Sequence, residues 1–153
     1  MPRSLSVMAA AAALGVAAAL GSGLAEAQEY RSVAATAAIL YDAPSAQGKK
    51  LYLVRNATPL EVLVQVEGWT KVRDAEGGIA WIATSALTTR RMVVVTAERA
   101  QARQAASEEA AIVFQADKWV ALELLEGAPA GWVKVRHRDG ASGFVRLMQV
   151  WGL

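Results

Sequence analysis

The chain has 153 residues, carries 16 basic and 14 acidic side chains for a net charge of +2, and contains no cysteine. So mild a balance argues against a dedicated nucleic-acid binder, which needs a clustered basic surface. The lack of Cys excludes thiol catalysis, thiolate metal sites and disulfides, so any core must be held by apolar burial.

The N-terminal stretch has one charge at Arg3 and then none until Glu26. The Ala- and Leu-rich run between them ends in Ala25-Glu26-Ala27, with small residues at the two positions that a signal peptidase reads. This predicts a signal peptide over 1–27, cleaved before Gln28, and a periplasmic or secreted mature protein. The other reading is a retained anchor, because the uncharged run from Ser4 to Ala25 reaches the ~20 residues that span a bilayer. Cleavage removes one charge of each sign, Arg3 and Glu26, and leaves +2. It also leaves no membrane segment.

After the signal the pattern is that of strands. In "LEVLVQVE", Leu60, Val62, Val64 and Val66 alternate with polar residues, which predicts a half-buried strand with those four inward. "GWTKVR" follows, with Thr70 and Val72 inward and Trp69, Lys71 and Arg73 outward. Asp74–Gly78 then makes a hairpin loop, and Ala83–Leu87 a turn into a β-branched strand, Met92–Thr96. The segment "AERAQARQAASEEAA" is rich in helix formers. Its counterpart "LYDAPSAQG", with a Pro and a Gly, argues for extended chain instead. "WVALELLE" predicts a strand with Val120, Leu122 and Leu124 inward. "GWVKVR" turns Val133 and Val135 inward and Trp132, Lys134 and Arg136 outward. "HRDGASG" closes a second hairpin, with Asp139-Gly140 as its turn signal.

These elements are one unit written twice. Gly68, Trp69, Lys71, Val72 and Arg73 meet Gly131, Trp132, Lys134, Val135 and Arg136. Beyond the turn, Gly77, Trp81 and Ile82 meet Gly140, Phe144 and Val145. Each unit, at about 60 residues, is near the lower limit for an independent core. The connecting segment has no Gly or Pro, so a rigid tandem is expected.

Short β units built on Gly-Trp-x-Lys-Val-Arg, a Gly turn, and an aromatic followed by Ile or Val resemble bacterial SH3-like domains. The resemblance covers nearly all of the mature chain. The first copy matches better, with "LYDAPS", "GWTKVR" and "AWIATSAL" in order. It implies an all-β protein of two tandem small SH3-like β-barrels, over 28–91 and 92–153. It also implies a non-enzymatic binding module for cell-wall (peptidoglycan) material or an envelope protein. The alternative is a structural scaffold of the envelope with no small ligand. Relatives that bind Pro-rich helices use an aromatic-lined groove. Gly68 and Gly131 stand where those relatives have its first Trp, and Tyr41 becomes Arg103 in the second copy, which argues against Pro-rich ligands.

The candidate ligand-binding residues are Tyr41, Trp69, Lys71, Arg73, Trp132, Lys134 and Arg136. A Trp beside two cations offers flat apolar area together with partners for carboxylates or phosphates. The competing reading is packing, with each Trp capping its own unit or buried against the other. Trp81 and Phe144 are expected to pack. Trp119, without an aromatic counterpart, and Trp151 are candidates for contact between the copies. His137, flanked by Arg136 and Arg138, is a poor general base. No catalytic, metal or cofactor site is expected.

Overall fold

In a computed structural model the described residues are 27–127 and 130–153, so the expected signal peptide lies outside them apart from Ala27. The first unit contains β1 (Glu29–Val33), β2 (Ala37–Tyr41), β3 (Lys50–Arg55), β4 (Pro59–Val66), β5 (Trp69–Arg73), β6 (Ile79–Ala83) and β7 (Leu87–Thr88). The second contains β8 (Met92–Val95), β9 (Arg99–Arg103), β10 (Ile112–Asp117), β11 (Ala121–Gly127), β12 (Trp132–Arg136), β13 (Ser142–Arg146) and β14 (Val150–Trp151). Short 3-10 turns at Thr84–Ala86 and Leu147–Gln149 lead into the last strand of each. No α-helix occurs among the described residues. The helix-forming composition after Ala97 loses to strand pairing, with β9 laddered against β10.

The two sheets have the same order, β3-β2-β6-β5-β4-β1-β7 and β10-β9-β13-β12-β11-β8-β14, with every pairing antiparallel. The expected closed barrels are open sheets. The two residues of β7 pair with Ser32 and Val33 of β1, which leaves no ladder from β7 to the other edge strand, β3.

Each unit has its own core. Val33, Leu40, Leu60, Val72 and Ile82 centre the first. Val93, Val95, Leu122, Val135 and Val145 centre the second. The second is built from smaller side chains. Ala102 replaces Leu40 and Gly143 replaces Ala80, and β13 closes on β9 so tightly that a Cβ on Gly143 would lie 2.9 Å from the Arg103 carbonyl oxygen.

One alternation breaks. Leu60 is fully buried, but Val64 and Val66 are 48% and 45% exposed. The register shifts between Val62 and Val64, so that Val62 opposes the buried Val72 while Val64 opposes Lys71 and Val66 opposes Trp69. A bulge at Leu63 adds one residue and transfers the rest of β4 to the outer face. The second unit has the same shift between Leu124 and Glu126. There the expected inward set, Val120, Leu122 and Leu124, does pack on the core.

The units touch through a small polar and aromatic contact. Ser32 Oγ donates to the carbonyl of Arg90, in the segment that joins the units, at 2.7 Å. Trp151 meets Tyr30 edge to face, with ring centroids 5.2 Å apart. The Arg91 guanidinium lies 5.5 Å from the centre of the Tyr30 ring and donates to the Gly152 carbonyl at 3.0 Å. Gly152 takes a φ of 115° and sits against Pro59 and the Met92 carbonyl, where a side chain would collide. Of the two aromatics expected between the copies, Trp151 is there. Trp119 is not part of this contact but stands at the edge of a neighbouring cleft.

Candidate binding surface

Strand alternation carries Trp69, Lys71 and Arg73 to the outer face of the first sheet, opposite the buried Thr70 and Val72. A second register shift, between Leu40 and Tyr41, brings Tyr41 out beside them. Tyr41 and Trp69 meet edge to face, with centroids 5.4 Å apart. Lys71 Nζ stands 5.8 Å from the centre of the Trp81 ring, its cross-strand partner. Arg73 is tied down, with Nη1 3.0 Å from Glu61 Oε2. Glu61 is itself buried and accepts from Gln28 as well. Tyr41, Trp69, Lys71 and Trp81 therefore form one half-buried aromatic face with a cation at its rim, continued by Val64 and Val66.

The second copy does not reproduce it. Trp132 occupies the equivalent outer position, but it is only 4% exposed. Its expected role as an open platform is corrected by what lies over it. The Arg146 guanidinium sits 4.5 Å from its ring centre. Arg146 Nε donates to Glu108 Oε1 at 2.6 Å, and Glu108 in turn faces Arg103 at 3.6 Å. Arg103 is held by the Ala110 carbonyl and the Gln101 side chain. In the first copy the places of Arg146, Glu108 and Arg103 belong to Ala83, Ala46 and Tyr41, so no charged side chain among the described residues covers Trp69 in the same way. Lys134 packs its ammonium 5.8 Å from the Phe144 ring centre and 3.4 Å from Glu126. Trp81 and Phe144 thus lie half-buried on the outer faces beside their lysines rather than in the cores.

Arg136 is drawn away from Trp132. Its Nη2 is 2.7 Å from Glu123 Oε2, and Arg90 reaches the same oxygen at 3.0 Å. The hydrogen bonds from Arg90 and then Arg136 hold the Glu123 carboxyl below its ordinary range. A carboxylate with a depressed folded pKa adds stability that is present above the unfolded value and lost as pH falls through the folded one. Glu123→Gln is therefore expected to lower stability at neutral pH by no more than about 1 kcal/mol, as exposed pairs do. Thermal melts across the acid range should show the gap between the two proteins closing as pH falls.

His137 Nδ1 lies 3.1 Å from Asp139 Oδ2, and its ring packs on Phe114 with centroids 5.7 Å apart. In the first copy Tyr52 and Asp74 take these places and hydrogen-bond at 2.6 Å. The Ala141 N–H and then His137 hold Asp139 below the usual carboxylate range. No group of three or more metal-ligating side chains occurs among the described residues. No helix among them is long and apolar enough to cross a membrane.

Sequence reasoning missed a cleft between the units of about 1140 Å³. One wall is the β3–β4 corner of the first unit, with Leu53 and Arg55, and the other is formed by Arg90, Trp119, Arg136 and Arg138. The one signal in the sequence was Trp119, an aromatic that the first copy lacks.

The fold is thus a small, curved, open antiparallel sheet, present twice with one strand order. The chain belongs to the bacterial SH3 domain family, whose model matches residues 34–88 and again 96–152. No curated protein matches the chain in sequence. Solved structures similar to it include NlpC2 from Trichomonas vaginalis, with a TM-score of 0.39 and 13% identity over 81% of this chain and 48% of that one. NlpC1 from Trichomonas vaginalis gives 0.38 and 14% over 80% and 45%. An NlpC/P60 family protein from Bacillus cereus gives 0.38 and 16% over 80% and 56%. The chain spans about half the length of these structures.

Proposed function

We propose that the protein is an exported, non-enzymatic binding module that recognises cell-wall peptidoglycan through the outer face of its first unit. Membership of the bacterial SH3 domain family supports a cell-wall-associated binding role. The observation that carries the choice of surface is the asymmetry of the two Gly-Trp strands. Trp132 is sealed under Arg146, whereas Trp69 stands beside Tyr41 with no charged cover. The Trp69 and Tyr41 rings supply flat apolar area for a sugar ring, and Lys71 at the rim suits a carboxylate of the polymer.

The test is co-sedimentation of the full chain with purified peptidoglycan. Wild-type protein should pellet with the polymer, and Trp69→Ala should weaken retention about tenfold, the ~1.4 kcal/mol of a modest anchoring contact. Failure of the wild type to pellet would leave the scaffold reading, in which the paired units serve assembly. Retention of Trp69→Ala equal to wild type would remove this face as the site. Export is checked separately: N-terminal sequencing of mature protein should begin at Gln28.

A further inference from the structure

The cleft between the units carries features that neither core requires. Trp119 follows β10 with a φ of 71°, in the left-handed region that a residue with a side chain rarely adopts. Its counterpart in the first unit is Ala57, with a φ of 65°. Both use their backbone N–H in the same way, Ala57 to the Val33 carbonyl and Trp119 to the Val95 carbonyl, each at 2.8 Å. The backbone position is thus set by the fold, while the indole is an addition. That ring is 50% exposed at the cleft, and Leu53 on the facing wall is 67% exposed.

Four arginines, Arg55, Arg90, Arg136 and Arg138, line the cleft with these two apolar groups. Arg90 and Arg136 share the single carboxylate of Glu123. Arg55 and Arg138 are exposed and enter no ion pair among the described residues. Among the described residues Glu123 is the only Asp or Glu lining the cleft, so the cations there exceed their counter-charge. At about 1140 Å³ the space exceeds most small-molecule pockets. Leu53–Arg55 also belong to an edge strand, β3, so backbone donors and acceptors reach this wall.

We propose that the inter-unit cleft is a second recognition site, separate from the Trp69 face, and that it takes an extended peptide bearing acidic and apolar side chains. Carboxylates pair with the guanidinium forks of Arg55 and Arg138, whose planar geometry suits bidentate contact. An apolar side chain seats between Trp119 and Leu53, and the main chain runs beside the β3 edge. Glu123, held between Arg90 and Arg136, shows within the chain itself how this cleft receives a carboxylate.

Fluorescence anisotropy of the full chain with a fluorescein-labelled decapeptide of alternating Glu and Leu tests this. Binding should be saturable, weaken with added salt, and be lost when Gln replaces Glu in the peptide. The double variant Arg55→Gln, Arg138→Gln should reduce affinity at least about tenfold, since two charge-assisted contacts are removed. Trp119→Ala should do likewise with its melting temperature retained, because Ala57 already occupies the same backbone position in the other unit. Trp69→Ala should leave peptide binding unchanged, which separates this site from the peptidoglycan face. Wild-type affinity in the double arginine variant overturns the proposal. So does a Trp69→Ala loss equal to that of Trp119→Ala, or binding of sodium polyphosphate in the absence of peptide binding.

Discussion

Trp132→Ala is expected to destabilise the protein by about 3–5 kcal/mol, the cost of truncating a buried aromatic. Trp69→Ala should cost about half as much or less. The two residues hold the same place in the repeat, and both belong to the outer face of the central hairpin, β5–β6 in one unit and β12–β13 in the other. The difference lies in what covers them. Removing the Trp132 indole opens a space under the Arg146–Glu108–Arg103 cluster and strips Arg146 of the ring it stacks on. Removing Trp69 deletes a half-buried ring whose aromatic partner is Tyr41. Each kcal/mol shifts the melting temperature of so small a protein by several degrees, so the contrast is large in thermal denaturation. Equal losses in the two variants would show that Trp69 is as enclosed as Trp132, and the first unit would then have no open aromatic face. A companion variant, Arg146→Ala, should raise the exposure of Trp132 to iodide quenching.

Most of the fold was legible in the sequence because it was written twice. Gly-Trp-x-Lys-Val-Arg places three strand positions and a turn in each copy. The inward set Thr70, Val72, Val133 and Val135 followed from alternation alone, and all four are buried. Three things were not legible, each for a definite reason. The bulge at Leu63 inserts one residue into an otherwise regular apolar run, and Val64 and Val66 look no different from inward valines until the partner strand is known. The cover on Trp132 comes from Arg146 on β13 and from Glu108 in the β9–β10 loop, residues distant in the chain whose meeting depends on the folded sheet. The open edge of each sheet rests on β7 and β14 being only two residues long, a length that pattern cannot resolve. The site divided along the same line. In the first copy Tyr41, Trp69 and Lys71 lie on one face, Arg73 is engaged by Glu61, and in the second Arg136 lines the cleft. Trp119 was conspicuous only as an aromatic without a counterpart, since its backbone angle is invisible in the sequence.

Leu60→Ala and Leu122→Ala should each cost about 3–5 kcal/mol, and their effects should reach beyond the unit in which they lie. Both leucines are fully buried at equivalent places beneath the central hairpin, one at the heart of each core. Truncation removes the transfer free energy of the side chain and leaves a cavity that strands pinned on both sides cannot close. A unit of this size buries only about 60% of the surface of its unfolded chain, so such a loss takes most of its stability. The damaged unit is expected to stay folded through its contact with its neighbour. Trp151, from the last strand of the second unit, packs on Tyr30, from the first strand of the first, while Arg91 spans the two by covering Tyr30 and holding the Gly152 carbonyl. These contacts exist only when both units are folded, so their free energy couples the two equilibria. Wild-type protein should therefore melt in one transition followed by circular dichroism, and either leucine variant should shift that whole transition downward. Adding Trp151→Ala to Leu60→Ala removes the coupling and should split the melt into an early first-unit step and a later second-unit step. Two independent steps already present in the wild type, with Leu60→Ala moving one and Leu122→Ala the other, would show that the Tyr30–Trp151 contact joins the units without coupling them.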